Sequence, residues 1–182
     1  MTLSETDMIR MWLLRKGFEP LRSDCRIERS DGADLEEYVR QECSLWYDRL
    51  LREGDPSLLV LHDMSSATGL TATVTDAGSV IYRLPEEIVR PVTVKLSSWR
   101  APARIVTADH PLALRQYLPF GSAGPVHPVA IWLPGNRLEL FSLTYEGENA
   151  DTLEYLQCVI RRYEEDGRTP IYEFREGALD TI

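Results

Sequence analysis

An α+β fold is predicted for this chain: an antiparallel β-sandwich or small barrel of three hairpins, with N-terminal and C-terminal helices packed on it. Three observations predict it. Apolar residues recur at helical spacing only toward the two ends, within 1–55 and 146–182. Between them, 56–145 is rich in β-branched residues, alternates with a period of two and is punctuated by turn residues. No strand signal alternates with a helix of useful length, and neither GxGxxG nor GxxxxGK[ST] occurs, which disfavours a parallel βαβ sheet and removes dinucleotide and P-loop sites. At 182 residues the chain suits a single domain over 1–182, and chains of this size bury ~70% of their unfolded surface.

Ser4 with Asp7 gives a capping pattern for a first helix, in which Met8, Ile9, Trp12 and Leu13 form one stripe before Lys16 and Gly17 close it. A polar stretch runs from Ser23 to Gly32. Asp34 then caps a longer helix with Leu35, Tyr38, Val39, Trp46 and Leu50 on one face, ended by Gly54, Asp55 and Pro56. Leu58 to His62 is a compact apolar run. Leu70 to Thr75 and Ser79 to Arg83 make a hairpin around Asp76-Ala77-Gly78. Pro85 at a first helical position predicts a single helical turn over Glu86 to Arg90, stopped by Pro91. Val92 to Leu96 and Trp99 to Val106 are expected to pair around Ser97-Ser98, with Pro102 at an edge or bulge because it cannot donate to a ladder. His110 to Leu118 reads as a short helix begun by Asp109 and Pro111, followed by a loop from Pro119 to Pro128. A third hairpin joins Val129 to Leu133 with Arg137 to Tyr145 through Pro134-Gly135-Asn136, and in it Leu138 and Leu140 alternate with Glu139 and Phe141. Asn149 or Asp151 caps a last helix in which Leu153, Leu156, Val159, Ile160 and Tyr163 share a face, leaving a strand-like IYEF at 171–174.

Composition narrows function by exclusion. No stretch approaches the roughly 20 apolar residues that cross a bilayer, and Glu5 and Asp7 stand where a signal peptide is basic, so neither membrane insertion nor export is expected. The net charge of −9 is uneven: 1–55 holds 13 acids and 9 bases, 56–145 holds 6 and 7, and 146–182 holds 10 and 4. Non-specific nucleic-acid binding needs clustered cations, so the free monomer is not expected to grip DNA directly. Cys25, Cys43 and Cys158 form no CxxC pair and read as packed thiols.

Candidate chemistry is sparse. His62-Asp63, Asp109-His110 and His127 are compatible with a small hydrolase or a metal enzyme if folding converges them, yet they show no metal-ligand spacing; Asp109 reads as a helix cap and His127 as a pre-proline loop residue. Gly121-Ser122-Ala123-Gly124 lacks the GxSxG pattern of a nucleophile elbow. Glu86-Glu87 offsets a helix dipole, and Glu164-Glu165-Asp166 lies where a helix frays. No catalytic residue, cofactor or metal is assigned. Arg90, Trp99 and Arg100 are the interface candidates, since Trp and Arg dominate contact energies. A protein interaction module of the bacterial cytoplasm is one non-enzymatic reading.

The order of LPEEIVRPVTVKL (84–96), WRAPAR (99–104), a short helix, GPVHPVAIWL (124–133) and LELFSL (138–143) is similar to neck proteins of tailed bacteriophages, in particular head-to-tail adaptor or connector-ring proteins of short-tailed phages and prophages. The similarity covers 84–163, under half the chain, and carries no chemically specific motif. It implies a structural subunit, in the virion or the bacterial cytoplasm, that contacts portal or tail components and forms a ring of copies around a DNA channel, where an acidic wall would repel the passing DNA.

Overall fold

A computed structural model describes residues 1–17, 35–76, 78–118, 120–143 and 151–182. The polar stretch with Cys25, the Asp34 and Asn149 caps, Pro119 and the 144–145 end of the third hairpin lie outside these residues. In chain order the elements are β1 (Thr2–Leu3), α1 (Glu5–Arg15), α2 (Leu35–Glu53), β2 (His62–Asp63), β3 (Thr71–Val74), β4 (Val80–Arg83), β5 (Ile88–Leu96), β6 (Arg104–Thr107), α3 (Pro111–Gln116), β7 (Val129–Leu133), β8 (Arg137–Leu140), β9 (Leu153–Ile160), β10 (Arg162–Tyr163) and β11 (Pro170–Glu173). The class is α+β. Contacts divide the chain into two compact units, Met1–Val60 with Arg161–Ile182, and Leu61–Ile160.

In the first unit, Ser4 caps α1 as its spacing implies, its hydroxyl accepting from the Asp7 N–H at 3.2 Å, and Met8, Ile9 and Trp12 are buried. From α2, Val39, Cys43, Tyr47, Leu50 and Leu51 are buried. The buried stripe is rotated from the expected one, leaving Tyr38 48% exposed. The expected strand at 171–174 forms as β11, between β1 and β10. It brings in Tyr172 and Phe174, whose rings meet Tyr47 at 4.8 Å and Trp46 edge-on at 5.4 Å. The Tyr47 hydroxyl accepts from the Glu173 N–H at 3.0 Å. Helices and sheet are thus joined by an aromatic cluster.

The second unit holds an open three-stranded sheet, β2-β9-β5, and an open five-stranded sheet, β3-β4-β8-β7-β6; neither closes into a barrel. Two of the three hairpins form as read, β3-β4 and β7-β8. One hydrophobic cluster draws Val94, Leu96, Leu156 and Cys158 from the smaller sheet and Val80, Ala130, Leu138 and Leu140 from the larger. A second cluster, of Val106, Ala113, Val129, Ile131 and Phe141, lies between the larger sheet and α3. Alternation along β7 and β8 therefore serves two faces, both buried.

Four expectations are corrected. The last helix is instead β9, the central strand of its sheet, which pairs antiparallel with β5 from Ile88↔Ile160 to Leu96↔Leu153. Its short apolar run satisfies helical and strand spacing alike, and ladders on both sides outweigh the helical periodicity. The turn at Glu86 to Arg90 does not become helical: Ile88 N–H closes a turn on Pro85 at 3.1 Å and opens β5. Pro91 continues that strand because β5 is an edge and its register shifts at Ile88/Arg90 and Pro91/Thr93 supply bulges that absorb the missing donor. β5 and β6 meet only in the bridge Val94↔Ala103. Instead β6 pairs in parallel with β7, so β6-α3-β7 is the crossover that the sequence disfavours. The chain between Thr107 and Val129 provides the dozen or more residues a parallel connection needs, although its helix has only six.

Candidate docking surface around the third helix

The crossover from β6 through α3 to β7 is where chemistry concentrates. His110, rather than Asp109, caps α3: its Nδ1 accepts from the Leu112 N–H at 3.1 Å, and Pro111 follows at the first turn. Asp109 is held below the usual carboxylate range by the Thr107 hydroxyl. Ala113 and Gln116 face inward. The Gln116 amide donates to the Leu112 carbonyl at 2.9 Å and accepts from the Ala123 N–H at 2.7 Å, which pins the following loop to the helix. Gly121 passes so close that a Cβ there would stand 2.3 Å from the Arg115 carbonyl oxygen.

That loop displays an aromatic side chain under strain. Phe120 has φ +62°, in the left-handed region that bulky L-residues avoid, and its ring is entirely exposed at 106%. Leu114, Tyr117 and Leu118 stand on one outer stripe of the helix and its end, spaced i, i+3 and i+4, and are 63%, 54% and 58% exposed. With Val126, five large apolar side chains lie open to solvent within thirteen residues of sequence.

The stripe is anchored from beneath. Glu139 is buried on β8, facing α3, and accepts from the Ser79 hydroxyl at 2.6 Å and the Tyr117 hydroxyl at 2.5 Å. No cation pairs with it among the described residues, so these two hydroxyls satisfy its carboxyl group. The Tyr117 hydroxyl is pushed up to about 12, first by burial and then by the bond to Glu139. Its ring meets Phe141 edge-on at 5.5 Å. A half-exposed tyrosine is thereby held in a single orientation.

Beside the stripe opens a cavity of about 620 Å³ whose walls include Arg104, Leu112, Arg115, Phe120, Val126 and His127. Arg104 and Arg115 are exposed and make no ion pair among the described residues. Arg100, an interface candidate from the sequence, belongs to this neighbourhood: it is exposed, and its N–H donates to the Pro125 carbonyl at 2.9 Å, at the base of the loop.

The other candidates lie elsewhere. Trp99 is only 2% exposed and belongs to the core between the sheets, its indole N–H donating to the Ser142 carbonyl at 3.2 Å, so burial removes it from any surface. Arg90 is half-buried on β5, at a register shift. His62 pairs across β2 and β9 with Cys158. Burial alone would raise the Asp63 carboxyl, but N–H donors from Leu156 and Ser65 outweigh it and hold the group low, so this acid clamps a turn. His62, His110 and His127 are thus dispersed over a strand, a helix cap and the cavity wall. Among the described residues no three His, Cys, Asp or Glu side chains are grouped to hold a metal ion. Ser122 stands in the loop after α3, not at a strand-to-helix elbow. Burial pushes the thiols of Cys43 and Cys158 up to about 12, which keeps them protonated and unreactive.

The chain matches no family model and no curated protein sequence. No helix among the described residues is long and apolar enough to cross a membrane.

Sequence patterning does not single out Leu114, Tyr117, Leu118 and Phe120. Their spacing in PLALRQYLPF is that of an ordinary core face, and only the inward turn of Ala113 and Gln116 reveals that the larger side chains point out. The one local signal was Phe120 between Pro119 and Gly121, a turn context that seldom buries an aromatic ring.

Proposed function

We propose that this protein is a non-enzymatic assembly subunit that works by docking another polypeptide against the α3 surface. The observation that carries this reading is the exposed cluster of Leu114, Tyr117, Leu118, Phe120 and Val126, in a segment where Gln116, Gly121 and Glu139 fix the backbone and the anchoring tyrosine. Single exposed apolar residues need no explanation, whereas five large ones within thirteen residues of sequence favour an interaction site. A strained, fully exposed phenylalanine persists only where surrounding contacts over-determine it and use repays its cost. The similarity to phage neck proteins supplies the partner class, portal or tail subunits, and the ring of copies in which such a contact would repeat.

The test places the photo-crosslinking amino acid p-benzoylphenylalanine at Phe120, with Val74 on the exposed strand β3 as the control, in cells that produce the protein. A discrete polypeptide adduct at position 120, absent at 74 and identified by mass spectrometry, is expected. Equal labelling at both positions, or no adduct at 120, would sink the reading.

A further inference from the structure

We infer that the polypeptide docked at α3 is acidic as well as apolar, with its carboxylates received by Arg104 and Arg115 while its apolar side chains meet the Leu114–Phe120 stripe. The inference rests on the docking reading above and names the chemistry of the partner. Its ground is charge complementarity. Residues 88–137 hold six basic side chains and one acid, Asp109, whereas the remainder of the chain holds 14 bases and 28 acids. Acids flank this stretch, Glu86 and Glu87 before it and Glu139 after it, but the cavity walls themselves hold Arg104, Arg115 and His127 and no acid. Three of the six, Arg100, Arg104 and Arg115, border one cavity or its loop, are exposed, and have no carboxylate partner among the described residues.

Where acids adjoin them, arginines of this protein pair: Arg40 with Glu5, Glu36 and Glu37, Arg15 with Asp180, Arg161 with Asp48. Guanidinium groups suit carboxylates through forked hydrogen bonds, and they are weakly hydrated enough to sit beside apolar surface. The cavity walls supply that surface in Leu112, Phe120 and Val126. An acidic segment without apolar side chains would leave the stripe wet, and an apolar one without acids would leave two arginines facing a desolvated interface unpaired. Phosphodiester strands share the anionic chemistry and would find Tyr117 and Phe120 to stack on, but they would leave the aliphatic Leu114, Leu118 and Val126 without apolar cover, and an oligo-thymidylate probe tells the two apart.

Fluorescence anisotropy with the full chain tests this, using labelled poly(Glu,Tyr), poly-glutamate, poly(Lys,Tyr) and oligo-thymidylate as probes. Poly(Glu,Tyr) is expected to bind most tightly, to weaken with added salt, and to lose at least about tenfold in affinity in Arg104→Glu/Arg115→Glu. Arg49→Glu/Arg52→Glu on α2 makes the same change in net charge at exposed sites of the other unit and is expected to bind like the unaltered protein. All four altered residues are exposed, and unchanged circular dichroism confirms that each variant folds. Equal binding of poly-glutamate, stronger binding of oligo-thymidylate, preference for poly(Lys,Tyr), or equal losses in both double variants would each overturn the acidic-apolar assignment. If the adduct at position 120 persists in Arg104→Glu/Arg115→Glu, the docking surface stands and its acidic partner falls; if no adduct forms at all, the docking reading itself has failed.

Discussion

Phe120 occupies backbone space that is unfavourable for it by about 1–2 kcal/mol, and its ring gains no burial in return. Asn tolerates the left-handed region, so Phe120→Asn is expected to leave the melting temperature unchanged or raise it, by up to about 1 kcal/mol of stability, while removing the crosslinked adduct of a probe moved to Leu118. A loss of stability instead would assign Phe120 a structural role. Tyr117 and Glu139 illustrate a buried acid that needs its donors. Tyr117→Phe leaves one Glu139 oxygen without its hydroxyl and is expected to cost about 1–3 kcal/mol in denaturant unfolding. The sign of its pH dependence follows from the raised hydroxyl: its ordinary value is 10 and its folded value about 12. Its contribution is present below pH 10 and is lost as pH rises from 10 through 12, because the unfolded chain releases that proton first. Tyr117→Phe should therefore show a shallower alkaline loss of stability than the unaltered protein. Cys43 and Cys158, fully buried and with thiols at about 12, should resist a thiol reagent in the native protein and react along the unfolding curve; rapid native modification at either would contradict their burial.

Among elements, helices with caps and strands with turn signals were the legible ones. Ser4 with Asp7, the Asp76-Ala77-Gly78 turn and Pro134-Gly135-Asn136 each carry their own local geometry, so α1, β3-β4 and β7-β8 fall where the residues place them. The segment 153–160 carries no such mark. Leu153, Leu156 and Val159 fit a helical stripe, and Leu156 with Cys158 fits a strand face; the choice is made by β2 and β5, which are distant in sequence. The same holds for β6, whose partner β7 begins 22 residues after β6 ends. His110 displacing Asp109 as the cap of α3 is a one-residue matter, within reach of local reasoning, since a histidine nitrogen before proline is as able to accept an N–H as a carboxylate oxygen.

At the scale of the whole molecule, the division into two units has a consequence for excision. The Leu61–Ile160 unit is continuous, contains both of its sheets and both hydrophobic clusters, and is expected to unfold cooperatively when produced alone. Residues 1–60 produced without 161–182 are not, because β1 loses its partner β11, and Tyr47 and Trp46 lose Tyr172 and Phe174. Thermal melts followed by circular dichroism check both: a sigmoidal transition for 61–160 and none for 1–60, with a broad, uncooperative melt of 61–160 counting against the division. The amino-acid sequence by itself determined the α+β class, the capped first helix, two hairpins and the uneven charge, because each depends on neighbours a few residues apart or on composition. Tertiary structure alone decided that 153–160 is a strand, that β6 and β7 run parallel, that Trp99 is core, and that the large side chains of α3 face outward. Each of these depends on which distant surface a segment meets, and an apolar residue carries the same signal whether it is bound for the core or for a partner.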